Sequence, residues 1–206
     1  MTSHDGHRGA PIPTVAEIQA NMGQDWSADV RAFAAHWAEM REGGRVTTFE
    51  RFISEPSPRF APPLYVVELD GLRAVVRLQG TELDRLWGDN LTGKDLHVGF
   101  PEAFRVRSVA NMRAVTGRPC GYLARNIYAT TREREVTADM IQLPLDAGAG
   151  RLPRVLCYTP LPVNDAVDER VGAFVRTTRL GWIDLGAGVP DVLPLDLVPD
   201  KPWSQD

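Results

Sequence analysis

The residues able to do chemistry are few and dispersed along the chain. Among 206 residues there are four histidines and two cysteines. The cysteines, Cys120 and Cys157, stand neither in a Cys-x-x-Cys pair nor beside a histidine at metal-ligand spacing. Their expected state is the reduced, buried thiol that packs as a small apolar group. Nucleophilic catalysis needs a serine on a sharp turn with a base within reach, and Ser54, Ser57 and Ser108 lie in no Gly-x-Ser-x-Gly elbow. Gly186-Ala187-Gly188 runs into Val189-Pro190, which spoils a dinucleotide-binding turn and cannot open the helix that such a turn requires. Asp139 and Asp146 have no recognisable acid-base partner and read as solvated carboxylates. His97 is a lone imidazole without a second ligand and reads as a solvated loop histidine, and His36 has a weaker case still. No catalytic and no metal-ligating residue is therefore assigned.

Composition narrows the remaining classes. Hydrophobic residues make up 43% and charged residues 24%, enough apolar area for one packed core. The net charge of -4 and the scatter of basic residues argue against nucleic acid as a partner. The segment from Met1 to Pro13 is polar and lacks the apolar stretch of a secretion signal. No apolar run approaches the roughly 20 residues that span a bilayer. The expected location is cytoplasmic, with no membrane partner.

The elements that must position any site follow from pattern. Residues 1–13 are expected to be disordered, and 14–63 to hold N-terminal helices and a connector. Thr14-Val15-Ala16-Glu17 is a capping box that starts a short helix ending near Gly23. Trp26, Val30, Phe33, Trp37 and Met40 recur at helical spacing over a second helix, about 27–42, stopped by Gly43-Gly44. Residues 46–63 are proline-rich and aperiodic, a connector. Two β-runs flank Asp70-Gly71, a hairpin joint, and in the second Ala74, Val76 and Leu78 alternate with Arg73, Arg77 and Gln79. That alternation predicts one wettable sheet face, with helices covering only the other. A short helix through Trp87, a longer helix from Pro101 to about Gly117, and three strands over 120–130, 136–145 and 152–161 complete a core at 64–161. The C-terminal extension, 162–206, holds a short helix over 165–174 and a strand over 177–185. The fold class is thus α+β, a five-stranded antiparallel sheet with helices on one face, plus the N-terminal helices.

Within this order, Arg77-Leu78-Gln79-Gly80-Thr81-Glu82-Leu83-Asp84-Arg85-Leu86-Trp87-Gly88 leads into Asp89-Asn90-Leu91-Thr92-Gly93-Lys94-Asp95-Leu96. A strand ends at a small residue, a short helix finishes at an aromatic-Gly pair, and a Leu-Thr-Gly-Lys turn precedes the long helix. The segment resembles the corresponding part of PAS domains. The Trp37 to Gly44 stretch makes the chain similar to short stand-alone bacterial PAS proteins, and the likeness covers about Val30 to Leu161. It implies a sensor or docking module, commonly a homodimer through an N-terminal helix, whose sheet and long helix enclose a small molecule in some members.

The resemblance also implies which cofactors to look for. Flavin photosensors of the fold carry an Asn-Cys-Arg-Phe-Leu-Gln-like helix, absent here. Haem-binding relatives use an axial histidine in or near the long helix, and this helix has none, so haem is not expected. A ligand pocket would be lined by Val76, Leu78, Leu86, Met112, Tyr122, Met140 and Cys157, with Tyr122 or Asn126 as polar contacts. If these residues simply fill the core, the weight shifts to Trp26, Phe33 and Trp37 as an interface for a second subunit or a signalling protein. The expected function is that of a PAS-type sensory domain acting through another protein, not an enzyme. The alternatives are a small-cavity isomerase or hydrolase and a ligand-free structural adapter.

Overall fold

The computed structural model describes residues 11–41, 44, 46–55, 57–161, 171–191 and 194. The expected disorder of residues 1–13 falls largely on 1–10, which lie outside the described residues. The first helix, α1 (Val15–Met22), begins at the capping box: Thr14 accepts from the Glu17 amide, and the Glu17 carboxylate accepts from the Thr14 amide at 2.7 Å. Helix α2 (Ala28–Glu39) is capped by Ser27. A third helix, α3 (Phe49–Ser54), occupies part of the stretch read as an aperiodic connector. Thr48 caps it by accepting from the Arg51 amide at 3.2 Å.

The hairpin β1 (Leu64–Asp70) and β2 (Arg73–Gln79) turns at Asp70-Gly71, where Gly71 takes the positive φ the turn needs. Helices α4 (Thr81–Trp87) and α5 (Glu102–Gly117) follow, then β3 (Cys120–Thr130), β4 (Glu135–Leu145), β5 (Arg154–Tyr158) and β6 (Val171–Asp184). The α+β class holds, with a six-stranded antiparallel sheet in the order β2-β1-β5-β4-β3-β6. The sixth strand is longer than the one expected at 177–185. It takes in 171–174, which had been read as the end of a helix; residues 165–170 lie outside the described residues. Helix α4 continues directly from edge strand β2 and packs against the opposite edge strand β6, so the sheet curls until its two edges meet across that helix.

Arg73 and Arg77 of edge strand β2 are exposed, as their alternation suggests, but the sheet as a whole carries helices on both faces. Helices α4 and α5 cover one face, over Tyr65, Val67, Tyr122, Ala124 and Cys157. Helices α1, α2 and α3 cover the other, over Leu64, Val66, Leu123, Ile141 and Leu156. Trp26, Phe33 and Trp37 belong to this second core and are buried, so the aromatic stripe assigned to an interface is not an exposed surface. Phe33 stacks on Tyr158 at 4.3 Å, and the Trp37 indole donates to the Pro144 carbonyl at 3.2 Å. Trp26 lies under the guanidinium groups of both Arg125 and Arg179. Asp139, far from being solvated, accepts from the Ser27 amide at 2.7 Å and pairs with Arg125 at 2.7 Å, which pins the start of α2 to the sheet.

One glycine is required by space. A Cβ at Gly80, between β2 and α4, would sit 2.1 Å from the Ala61 carbonyl oxygen and 2.3 Å from that of Pro62. Both are backbone atoms of the segment leading into β1, so neither can swing aside. Gly80→Ala is expected to lower stability by about 2–3 kcal/mol, read as a lower urea midpoint at unchanged m-value; a midpoint equal to that of the unaltered chain would refute the contact.

Candidate functional site

Antiparallel strands bring directly paired residues to the same face, and here the register builds a continuous row. Gln79 pairs with Tyr65, Tyr65 with Cys157, Cys157 with Gln142, Gln142 with Tyr122, and Tyr122 with Trp182. The row crosses all six strands on the face covered by α4 and α5. Helix α4 lays Leu83 and Trp87 over it, and α5 contributes Met112 and Val115. The Tyr65 ring meets Trp87 edge-on at 5.0 Å and Tyr122 meets Trp182 at 5.8 Å, geometries that place a ring edge on a π-face.

Of the residues expected to line a pocket, Val76, Met112, Tyr122, Met140 and Cys157 come together in this interior. Leu78 does not. The β1–β2 register shifts so that Val67 pairs with Val76 but Val66 with Leu78. The bulge at Arg77 turns Leu78 to the opposite face, against the core under α2. The side chain of Leu86 lies outside the described residues. Asn126 is buried on the same face as Tyr122, where it donates to the Tyr128 hydroxyl at 3.2 Å and accepts from Thr177 at 2.9 Å.

Four members of the row, Gln79, Tyr65, Gln142 and Trp182, are not among the residues expected to line a pocket. Their signal was the pairing register, which a single sequence does not print. The Tyr65 hydroxyl contacts the Met140 sulfur at 3.5 Å. Gln142 is 3% exposed, and its Oε1 is buried without a hydrogen-bond partner. Burial raises Tyr65 well above its ordinary value, reinforced by the neighbouring Cys157. The Cys157 thiol is likewise pushed up by burial. Cys120 is pushed up to about 12, first by burial and then by Asp184. All three stay protonated at neutral pH, so none is an activated nucleophile.

His97 departs furthest from expectation. It is 4% exposed, enclosed by Phe100 and Phe104, and its Nε2 lies 2.8 Å from the Ser108 hydroxyl on α5. Its Nδ1 is 3.7 Å from Asp95 Oδ1 and has no hydrogen-bond partner. That carboxylate instead accepts from the Ala74 and His97 amides, so the loop before α5 is tied to β2 on one side and to α5 on the other. Burial lowers the His97 pKa to about 4; Asp95 opposes the shift and Arg105 adds to it. The ring is neutral at physiological pH. Among the described residues, no group of three or more histidine, cysteine or carboxylate side chains could hold a metal ion. An open groove of about 470 Å³ lies elsewhere, between Val46, Thr116, Pro119, Pro144, Asp146 and Arg151, and none of the row's residues lines it.

A family model described as a PAS domain matches residues 27–159, from the cap of α2 to the residue after β5. Among solved structures, the PAS domain from Bordetella pertussis BvgS is similar at 16% identity, covering 52% of this chain and 78% of that chain, with a TM-score of 0.31. No curated protein matches the chain.

The buried imidazole makes stability depend on pH. Between its ordinary value of 6.5 and about 4, the unfolded chain binds a proton that the folded chain refuses. Stability is therefore complete above the higher value and falls as pH drops toward the lower one. Urea unfolding at about pH 7 and about pH 4.5 should differ by roughly 2–3 kcal/mol from this group alone. His97→Gln, which keeps a polar contact for Ser108 and removes the titration, should flatten that part of the curve; equal pH slopes in the two proteins would rule the assignment out.

Proposed function

The chain belongs to the PAS-domain family, and from that premise we propose that it is a sensory module whose input is a small molecule held between α4, α5 and the row of side chains on the sheet. Domains of this family are in general sensory and regulatory. The observation that supports a ligand here is the orphaned Oε1 of Gln142, buried on the row beneath α5. A buried acceptor left unmade costs about 1–3 kcal/mol, and proteins keep such a group where something supplies its partner. The reading is regulatory rather than catalytic, because the thiols and the Tyr65 phenol facing this interior are held protonated.

In this proposal the output passes to another protein, a signalling partner or a second copy of the chain. Ligand occupancy acts by biasing how α1 and α2 pack on the opposite face. Trp26, Phe33 and Trp37 serve that packing from inside and leave the contact surface to other residues. Among the described residues no helix is long and apolar enough to cross a membrane.

A second reading, a docking module without a ligand, is favoured by how completely side chains fill the interior: Val115 is 0% exposed, and Met112 and Tyr122 are each 1%. Native mass spectrometry of the purified chain, set against its denatured mass and an absorption scan, separates the two. The expected result is a retained molecule of a few hundred daltons, about the size such sites enclose. An empty, colourless protein would replace ligand sensing with docking.

A further inference from the structure

We infer that the molecule held on the row is electrically neutral: an uncharged aromatic or heteroaromatic compound that donates a hydrogen bond to Gln142. The inference rests on the α5 face being a ligand site and adds the chemical class of what enters it.

The charge argument comes from how the sheet divides its ionised groups. Among the described residues the buried carboxylates are Glu68 and Asp139, and both belong to the other face. Glu68 is paired with Arg77 and with Arg154, whose guanidinium lies over Phe49 of α3. Asp139 is paired with Arg125 and with the Ser27 amide at the start of α2. The row itself offers hydroxyl, thiol, carboxamide and indole groups, none of them ionised at neutral pH. Arg105 on α5, whose charge is felt by His97, stands seven residues and so about two turns before Met112. Asp84 of α4 accepts from Gln79 at the β2 end of the row, but a formal charge placed at Gln142, whose paired neighbours Cys157 and Tyr122 are neutral, would lose its hydration with no counter-ion beside it, a cost of several kcal/mol after relaxation. A neutral molecule escapes that cost.

The aromatic character follows from what the row presents. Met112, Met140 and Cys157 bring polarisable sulfur, which packs favourably against ring edges. Tyr65, Trp87 and Tyr122 bring faces and edges for offset or T-shaped contacts. The donor follows from Gln142, since an unpartnered carbonyl-type oxygen only accepts.

The test is calorimetric titration of the whole chain at neutral pH with probes sharing one ring system: 2-naphthamide, 2-methylnaphthalene, 2-naphthoate and 2-naphthylmethylammonium. The amide should bind at least about tenfold more tightly than either ion, and more tightly than the methyl compound, which lacks the donor. Gln142→Met, close in volume, should remove the advantage of the amide over the methyl compound. If that variant fails to fold, the ranking on the unaltered chain decides alone. Binding of the anion or the cation as tightly as the amide would overturn the neutral class and leave the ligand site standing. No binding by any probe would overturn the inference, and together with an empty native mass spectrum it would remove the site as well.

Discussion

Water reaches neither face of the middle of the sheet: every residue of β1 from Leu64 to Leu69 is buried, and so are Val155 to Tyr158 of β5 and Ala138 to Leu145 of β4. Alternation along each strand therefore sends side chains into two interiors, and each interior needs its own helical cover. In β3, Tyr122, Ala124 and Asn126 face α5, whereas Leu123 and Arg125 face the N-terminal helices. Helices α1 and α2 are for this reason half of the core and not an appendage to it. Burying an aromatic side chain such as Phe33 or Trp37 is worth about 1.5–3 kcal/mol, and exposing the apolar residues beneath them would cost as much again.

The division of polar groups follows the same two-sided logic. Ion pairs occupy the face of the N-terminal helices, where Asp139 and Glu68 each meet a guanidinium that itself reaches toward solvent or an aromatic ring. Burial tends to raise the Glu68 carboxyl, and the bonds from Arg77 and Arg154 outweigh it and hold the group below its ordinary value. Along its middle the opposite face keeps neutral polar tips against rings and sulfur, with the Asp84 carboxylate accepting from Gln79 at the β2 end. A bulge makes part of this arrangement possible. By inserting Arg77 into β2 it brings a guanidinium to Glu68 and turns Leu78 into the core of the other side.

How much of this was legible depended on the range of the interaction. Local signals were dependable: the Thr14–Glu17 box, the Asp70-Gly71 turn, and the order of strands and helices around the Leu-Thr-Gly-Lys turn are set by neighbours a few residues apart. Sidedness was not legible, because β2 is an edge strand whose Arg73 and Arg77 do stay exposed, while the inner strands beside it are covered on both faces. The burial of Trp26, Phe33 and Trp37 likewise depends on a sheet face that forms from residues far along the chain. The six-strand row could not be read because Gln142 and Tyr65 acquire meaning only through pairing. His97 looked like a loop histidine because Ser108, its partner, sits eleven residues on and meets it only once α5 has docked. Helix α3 was missed for a plainer reason: six residues carry too little periodicity to stand out among the prolines around them.

The two interiors are linked through β3 without a hinge. Asn126 and Arg125 are adjacent, their Cα atoms about 3.8 Å apart by covalent geometry, and their side chains enter opposite interiors. Asn126 is held by Tyr128 and by Thr177 of β6; Arg125 holds Asp139 and the Asp25 carbonyl, and Asp139 in turn holds the first amide of the α2 cap. The β3–β6 register shifts between these two residues, so the ladder that would resist a local displacement is interrupted there. A shift of Asn126 must carry Arg125 with it, and charge-assisted hydrogen bonds keep their strength over only a few tenths of an ångström. The start of α2 is thereby the part of the N-terminal layer most directly answerable to the state of the interior on the far side of the sheet.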